Sequence, residues 1–541
     1  MDEDTLAAFE AVPESDATKL LKGWQELGKA GKESAMVKPV DLSAAPVLHI
    51  SSQNVVFVEL PCKFSHIRAD RAGWDIPVGG DFSTVSGISF DLWCGDVTEF
   101  TGFTFYFKSG EGWYHTDFSP IKEREWHRVT ITKARAKNTA GKPEGWGNVS
   151  GVRICGWRGG TNDTELAVAN FAFADEVRPE TAREALEREY EDRLWAAKRK
   201  SAKEEWRGFW CHSRHGLGGG RTWEDTIRIL KENGFTAVLP NMAWAGVAYY
   251  QSRALPEFAE VRKGRDYLAD CLAACRKYKL ECHAWKICWN LGHHASKKVQ
   301  EAMEKAGRTQ VRFDGTKKTG WLCPSNPDNL KWEIQAVAEL ARKGVDGVHL
   351  DYIRYPDESC CFCSGCRSRF EAKYGLSLTN WPAQVRYDGE VKARWREFRV
   401  ANITELVKGA AREVHSVKGG VKLSAAVFQN PETNPRAIGQ DWVDWCRHGY
   451  VDFVCPMDYN YDSPVAFKGV VHVQKRALAG AKAKLRPGIG LSCWPDRTRD
   501  VRMAVGEIEV VREAGLDGFS VFNLDARAEK LLPVLHSGVT R

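Results

Sequence analysis

The chain of 541 residues has material for two to four domains and a large core. Charged residues make up 27% and apolar ones 43%, a globular balance, and no apolar run reaches the roughly 18 residues of a membrane span. The formal charge of +6 is interspersed rather than gathered into a basic stripe, which argues against nucleic acid as a partner.

The opening Met1-Asp2-Glu3-Asp4-Thr5 has neither a basic n-region nor an apolar h-region. This predicts a cytoplasmic protein or, where a leader has been removed, a secreted or periplasmic one. Most of the 16 cysteines sit singly in apolar stretches, as do Cys155, Cys282, Cys288, Cys455 and Cys493. They are expected to be buried thiols rather than a disulfide framework.

Residues 1–45 form a leader segment with a short amphipathic helix at about 20–27. Over 46–178 the pattern changes to short alternating strands, among them 86–93, 102–108 and 126–132, rich in aromatic residues. An antiparallel, jelly-roll-like β-sandwich is predicted there. This block resembles the carbohydrate-binding modules appended to many glycosidases. Trp113, Tyr114 and Trp146 either stack on sugar rings or pack a core. Residues 179–205 are charged throughout and read as a helical linker with a narrow apolar stripe.

From 206 to 541 eight strand-then-helix units follow. The strands fall at about 208–212, 237–241, 281–285, 347–351, 422–428, 453–457, 485–491 and 518–522. Helical patterns at 222–233, 266–278, 327–343, 390–415, 441–449, 464–479 and 500–514 separate them. Such alternation predicts a parallel sheet closed into a (β/α)8 TIM barrel. Gly216 to Gly220 lacks the lysine and the spacing of a phosphate loop, which weighs against an open dinucleotide-binding sheet.

In such a barrel the C-terminal strand ends form the active face. They supply, in order, His212, Arg214 and His215; Asn241 and Trp244; His283, Trp285 and Lys286; Asp351, Tyr352 and Arg354; Gln429 and Asn430; Asp458, Tyr459 and Asn460; Trp494 and Asp496; Asn523 and Asp525. Rings that stack on a sugar, with amides and acids for its hydroxyls, suit a carbohydrate site. Each residue alone is equally compatible with a core or capping role.

Six segments carry a definite resemblance. They are Arg207-Gly-Phe-Trp210, Glu281-Cys-His-Ala-Trp285, Cys323-Pro-Ser-Asn-Pro327, Asp346-Gly-Val-His-Leu-Asp-Tyr-Ile-Arg-Tyr-Pro356, Asp452-Phe-Val-Cys-Pro-Met-Asp-Tyr459 and Gly488-Ile-Gly-Leu491. In this order they resemble the glycoside-hydrolase-like barrels once grouped as a domain of unknown function. The resemblance implies a TIM barrel with a glycosidase-type site and leaves the sugar open.

Glycoside hydrolysis ordinarily uses two carboxyl groups, one ionised and one protonated. Asp351 is the first candidate, as nucleophile or stabilising base. Asp458, Glu224, Glu432 and His283 are candidates for the partner, although Glu224 also reads as a first-turn helix acid. No cofactor is expected for catalysis. Arg214, Arg221, Lys286 and Arg354 exceed what a neutral sugar needs and point to an acidic one, with a sialidase-type exo-glycosidase as the version favoured. The expected partner is an oligosaccharide or glycoprotein glycan. A glycosidase of neutral glycans, a deacetylase or lyase, and an inactive glycan-binding barrel are the alternatives.

Cys361-Phe-Cys363-Ser-Gly-Cys366 follows the fourth strand, with Cys323 or Cys360 as a fourth sulfur. The spacing allows a structural tetrahedral zinc, or disulfides such as Cys363–Cys366. A similar cluster holds structural zinc in barrel β-galactosidases, which the resemblance extends to this loop.

Overall fold

The structure, a computed structural model, describes residues 38–40, 47–50, 56–65, 71–76, 79–118, 120, 122–174, 182–459, 461, 463–493 and 500–541. The leader helix expected at 20–27 lies outside them, as do Asn460, Trp494 and Asp496. The chain divides into two compact units, residues 1–188 with 460–473, and residues 189–459 with 474–541.

The first unit is built from two antiparallel sheets. One orders Lys38–Val40, Arg71–Ile76, Val149–Arg158, Phe100–Ser109, Gly112–Phe118 and Lys137–Ala140. The other orders Val47–Ile50, Val56–Cys62, Thr164–Ala174, Gly87–Cys94 and His127–Thr132. Alternate residues of Phe100–Ser109 point inward, and the phenylalanines there meet those of the other sheet. Phe90 lies 5.5 Å from Phe105 and 5.1 Å from Phe171, both stacked. Tyr114 and Trp146 stack on each other at 4.3 Å and pack against this core. Trp113 points to the opposite face, where the Arg153 guanidinium lies 4.5 Å over its ring.

The second unit carries parallel strands. They are β1 (Trp206–Cys211), β2 (Ala237–Trp244), β3 (Glu281–Ile287), β4 (Gly347–Asp351), β5 (Lys422–Val427), β6 (Phe453–Pro456), β7 (Lys484–Leu485), β8 (Gly488–Gly490) and β9 (Gly518–Phe522). Every residue of β1, β2 and β4 is buried, as in strands covered on both faces. The sheet runs β7-β6-β5-β4-β3-β2-β1-β9-β8, with all these neighbours parallel. Its two end strands, β7 and β8, are separated in sequence only by Arg486 and Pro487. This path fits a TIM barrel.

Helices lie between these strands along the chain: α1 (Trp223–Glu232), α2 (Tyr267–Tyr278), α3 (Pro327–Ala341), α4 (Ser364–Tyr374), α5 (Gly389–His415), α6 (Pro464–Ala477), which belongs to the first unit up to Val473, and α7 (Val501–Glu513). Their starts are written in the sequence. Thr222 and Asp225 close a capping box on α1, and Asn326 with Pro327 opens α3. The charged segment expected to link the units contains the helix Ala182–Ala197. Among the described residues no helix is long and apolar enough to cross a membrane.

The N-terminal ends of the parallel strands are closed by a polar cluster centred on Glu281, in which His283 Nδ1 and Arg486 Nη1 keep no hydrogen-bond partner. Glu281 accepts from the Trp206 indole at 3.0 Å and pairs with His283 at 2.9 Å. Its pKa is pulled down to about 2, chiefly by the His283 hydrogen bond acting against burial. The His283 ring meets Trp206 and Phe453 edge-on at 5.8 and 5.4 Å, and Arg486 lies 4.3 Å over each of those two rings. A Cβ at Gly347 would run into the His283 ring, so only glycine fits at the start of β4. One level higher, the Trp210 indole donates to His349 at 2.9 Å, and His349 shares a 2.8 Å hydrogen bond with Ser424.

Candidate active site

Strand β4 ends at Asp351, which is 8% exposed. Burial carries its pKa above the usual carboxylate range, although the Tyr352 backbone N–H donates to it at 2.6 Å and Arg354 contributes a positive field. The next residue, Tyr352, is held at φ +52°, a region an aromatic side chain rarely enters. Such strain gathers at functional sites, where surrounding structure over-determines it.

Aromatic groups wall this carboxyl group. Tyr352 lies edge-on to Trp321 at 5.4 Å and 6.2 Å from Trp244. The Arg354 guanidinium lies 4.8 Å over Tyr352 and 4.8 Å over Phe428. Its Nη1 donates to the carbonyls of Tyr355 and Pro356 at 3.1 and 3.3 Å, and its buried Nε has no partner. Trp285 from β3 is 3% exposed. Its indole favours the charged form of Asp351, yet Nε1 closes no hydrogen bond of full geometry. Tyr459 stacks on Phe522 at 4.8 Å, and its pKa is raised by burial and then by the charge of Asp351, so the two groups share one space.

Other expected residues act on this wall rather than in it. Asn241 accepts from the Trp244 indole at 2.8 Å and fixes that ring. Asn523 accepts from the backbone N–H of His212 at 3.1 Å, positioning an imidazole that meets Trp285 at 5.4 Å. Burial first, then the charge of His293, lowers the His212 pKa. The Gln429 amide donates to the Met457 carbonyl at 3.3 Å, and Asn430 accepts from Glu432 and Thr433 in the turn after β5. Glu432 is exposed in that turn. Asp525 caps the helix that follows β9.

Several expectations are corrected. Asp458 is fully buried, but its carboxyl group accepts from Gln474 on α6 at 2.8 Å and feels Glu507 of α7, so it points outward from the strands. Lys286 likewise turns outward into a fully buried ion pair with Glu333 of α3. His283 belongs to the cluster at the opposite strand ends. Its residue lies four before Ile287, the register partner of Asp351, which is about 13 Å along a strand. Glu224 sits on α1 with its half-exposed carboxylate held by Lys277 at 2.5 Å. Arg221 pairs with Glu529. Arg214 is caged by Phe258, Tyr249 and Tyr267, with its Nη1 3.4 Å from His294. Of the four cations expected around an acidic sugar, Arg354 alone acts on Asp351.

The strand-end reading missed His293, His294, Trp321 and Phe428. His293 meets Trp244 at 5.6 Å, and Trp321 is brought in by an antiparallel hairpin in the loop after β3. The adjacent histidines were the only available signal.

None of the sixteen cysteines forms a disulfide. The sulfurs of Cys323, Cys361, Cys363 and Cys366 are buried within 4.8 Å of one another, and Cys323 lies 3.3 Å from Cys366. A tetrahedral zinc with bonds of about 2.3 Å would hold sulfurs about 3.8 Å apart, so this donor set fits the ion. Cys360 stands outside the group. Cys271, Cys275 and Cys282 form a second buried trio between α2 and β3.

A family model described as Glycosyl hydrolase-like 10 matches residues 206–481. An S-layer-related protein of Niallia circulans is 26% identical over 233 residues, 36% of this chain, and the match spans only 14% of that relative's length. Among solved structures, the glycoside hydrolase domain of PgaB (BpsB) from Bordetella bronchiseptica is 14% identical with a TM-score of 0.47, covering 62% of this chain and 99% of its own. The catalytic domain of a Paenibacillus polymyxa β-amylase is 12% identical at a TM-score of 0.45, with shares of 62% and 99%. An exo-β-agarase is 9% identical at 0.47, with shares of 93% and 96%. Scores this low leave the three likenesses without bearing on function.

Proposed function

Because the chain belongs to the glycosyl hydrolase-like 10 family, we propose that it hydrolyses glycosidic bonds of an oligosaccharide or glycan at the aromatic cleft around Asp351. In this reading the parallel strands are a closed (β/α)8 barrel and the antiparallel sheets a β-sandwich. The observation that carries the function is a carboxyl group at the end of β4, buried enough to raise its pKa, among Trp285, Tyr352 and Tyr459.

A carboxyl group whose pKa is raised by burial is pushed toward the protonated form that a general acid needs. Asp351 would give that proton to the glycosidic oxygen as the bond to the anomeric carbon breaks. Water then supplies hydroxyl to that carbon and returns its remaining proton to the Asp351 carboxylate. Trp285, Trp244 and Tyr352 would stack on sugar faces, with Arg354 beside the developing charge. A sialidase version would have Arg354 as its sole guanidinium at Asp351.

One observation favours the second reading, an inactive glycan-binding barrel. Among the described residues, no carboxylate is among the groups acting on Asp351. Sugar release from acidic and neutral glycan panels, with Asp351→Asn in parallel, separates the two. Release by the parent and its loss in the variant support the hydrolase; binding without release by the parent sinks it.

The four-sulfur cluster is proposed to hold a structural zinc, because its four thiols leave no open position for catalysis. Metal analysis of purified protein should find one zinc per chain, removed with a fall in thermal midpoint by chelator. A Cys366→Ser variant that keeps full stability and metal content would remove that role.

A further inference from the structure

Beside the loops that follow β4 and β5 lies a cavity of about 180 Å³, away from the aromatic wall of Asp351 in its lining. Arg386, Lys392, Arg396, Arg399 and Arg436 line it, against a single carboxylate, Glu358, which is exposed. Lys392, Arg396 and Arg399 follow one another at four- and three-residue spacing on α5, hence on one helix face. Like charges at that spacing repel, which destabilises the helix unless something offsets it. Among the described residues, Arg386, Lys392, Arg396 and Arg436 make no ion pair, whereas Arg394 of the same helix is matched by Glu390 at 2.6 Å.

Arg399 supplies an independent sign. It is 3% exposed, its Nη atoms donate to the carbonyls of Asp357, Arg436 and Ala437 at 2.9 to 3.3 Å, and its Nε has no partner. A guanidinium buried without a carboxylate is costly, and a bound anion would relieve it. Asp357 lies in the loop leaving β4, and Arg436 and Ala437 in the short helix Asn434–Ile438 that follows β5, so Arg399 ties the pocket to the segments that follow those strand ends. Tyr387, 71% exposed, and Trp395 complete the wall with ring surface. The volume is below the roughly 300–1,000 Å³ of drug-sized ligand sites, and so suits one residue of a longer chain.

We propose that this pocket binds the acid group, carboxylate or sulfate ester, of one residue of a saccharide chain cleaved at Asp351, which presupposes the glycosidase reading. The cations hold the acid bidentately or as point charges, and the rings cover the sugar face.

The test is calorimetric titration of Asp351→Asn protein, which removes turnover from the readout. The probes are tetragalacturonate, a sulfated tetrasaccharide, maltotetraose and inorganic sulfate. Repeats use the Lys392→Ala/Arg396→Ala pair and, separately, Arg436→Ala, which leaves α5 untouched. At least one acidic tetrasaccharide is expected to bind about tenfold or more tighter than the neutral one, and to weaken about tenfold in the paired variant and with rising salt. Which acid binds tighter distinguishes carboxylate from sulfate ester. Equal binding of acidic and neutral probes, or no loss in either variant, overturns the proposal. Inorganic sulfate binding as tightly as the tetrasaccharides overturns the saccharide assignment. Cleavage of neutral glycans by protein carrying Asp351 is assayed alongside, so the pocket can fail while the hydrolase stands.

Discussion

The two ends of the parallel strands contain similar residue types in opposite condition. At the N-terminal ends, Glu281, His283, Trp206 and Arg486 are mutually engaged, and Glu281 is held ionised. At the C-terminal ends, Asp351 is held toward its neutral form, Tyr352 sits in a strained conformation, and Arg354 and Trp285 keep unpaired N–H groups. Unpaired nitrogens occur at both ends, His283 Nδ1 and Arg486 Nη1 among them, so the contrast teaches that the state of the carboxyl group is what separates framework from function. A carboxylate held ionised by its own partners, as Glu281 is, secures the fold, whereas one pushed toward its neutral form at the strand ends, as Asp351 is, is held ready for a ligand.

The contrast gives graded expectations. Asp351→Asn should lower kcat by roughly 10²–10⁴. It should also leave the thermal midpoint at pH 7 unchanged or higher. With a folded pKa above its unfolded value, Asp351 opposes folding once it ionises, so the variant's advantage should vanish as pH falls below about 3.9. A large loss of stability at pH 7 would instead assign Asp351 to the framework.

His283→Ala should do the reverse, costing roughly 2–4 kcal/mol in denaturant unfolding by opening a cavity and stranding Glu281. Its kcat per folded molecule should stay near the parent's; a drop comparable to that of Asp351→Asn would return His283 to the catalytic list. The Glu281 contribution, from a depressed pKa, is present above about pH 4.5 and lost as pH falls toward about 2.

His349 lies between the two ends. Burial holds its pKa well below the ordinary imidazole value. Below about pH 6.5 the unfolded chain takes up a proton that the folded one refuses, costing up to about 1.4 kcal/mol per pH unit. His349→Gln should flatten that acid limb in thermal melts, and identical limbs would contradict it. Glu224→Ala, the smallest case, should change neither kcat nor the thermal midpoint measurably, because its partner Lys277 is an exposed surface cation.

Much of the element pattern in the second unit was legible in the sequence. The strand beginning at Gly347 and ending at Asp351 stands where the apolar run and its closing acid put it. The helices expected from 222 and 327 begin at Trp223 and Pro327, where Thr222 and Asn326 cap them through hydrogen bonds within a few residues. Such features depend on neighbours along the chain, and sequence order carries them.

What sequence order did not carry was the direction and level of each side chain. Asp458 and Tyr459 are adjacent at the end of β6, yet one meets Gln474 on the outer layer and the other shares space with Asp351. Lys286 and Trp285 divide the same way, because successive residues of a strand point to opposite faces. His283 faces inward but at the wrong depth, set by the register of β3 against β4. The four-sulfur cluster needed Cys323 to meet a loop some forty residues later. By itself the sequence determined most of the strands and helices of the second unit and the acid that ends β4, but not the break at Arg486 and Pro487 that divides the strand expected at 485–491 into β7 and β8. Only the tertiary structure decided which polar groups are paired and which are left open, because pairing depends on residues distant in the chain.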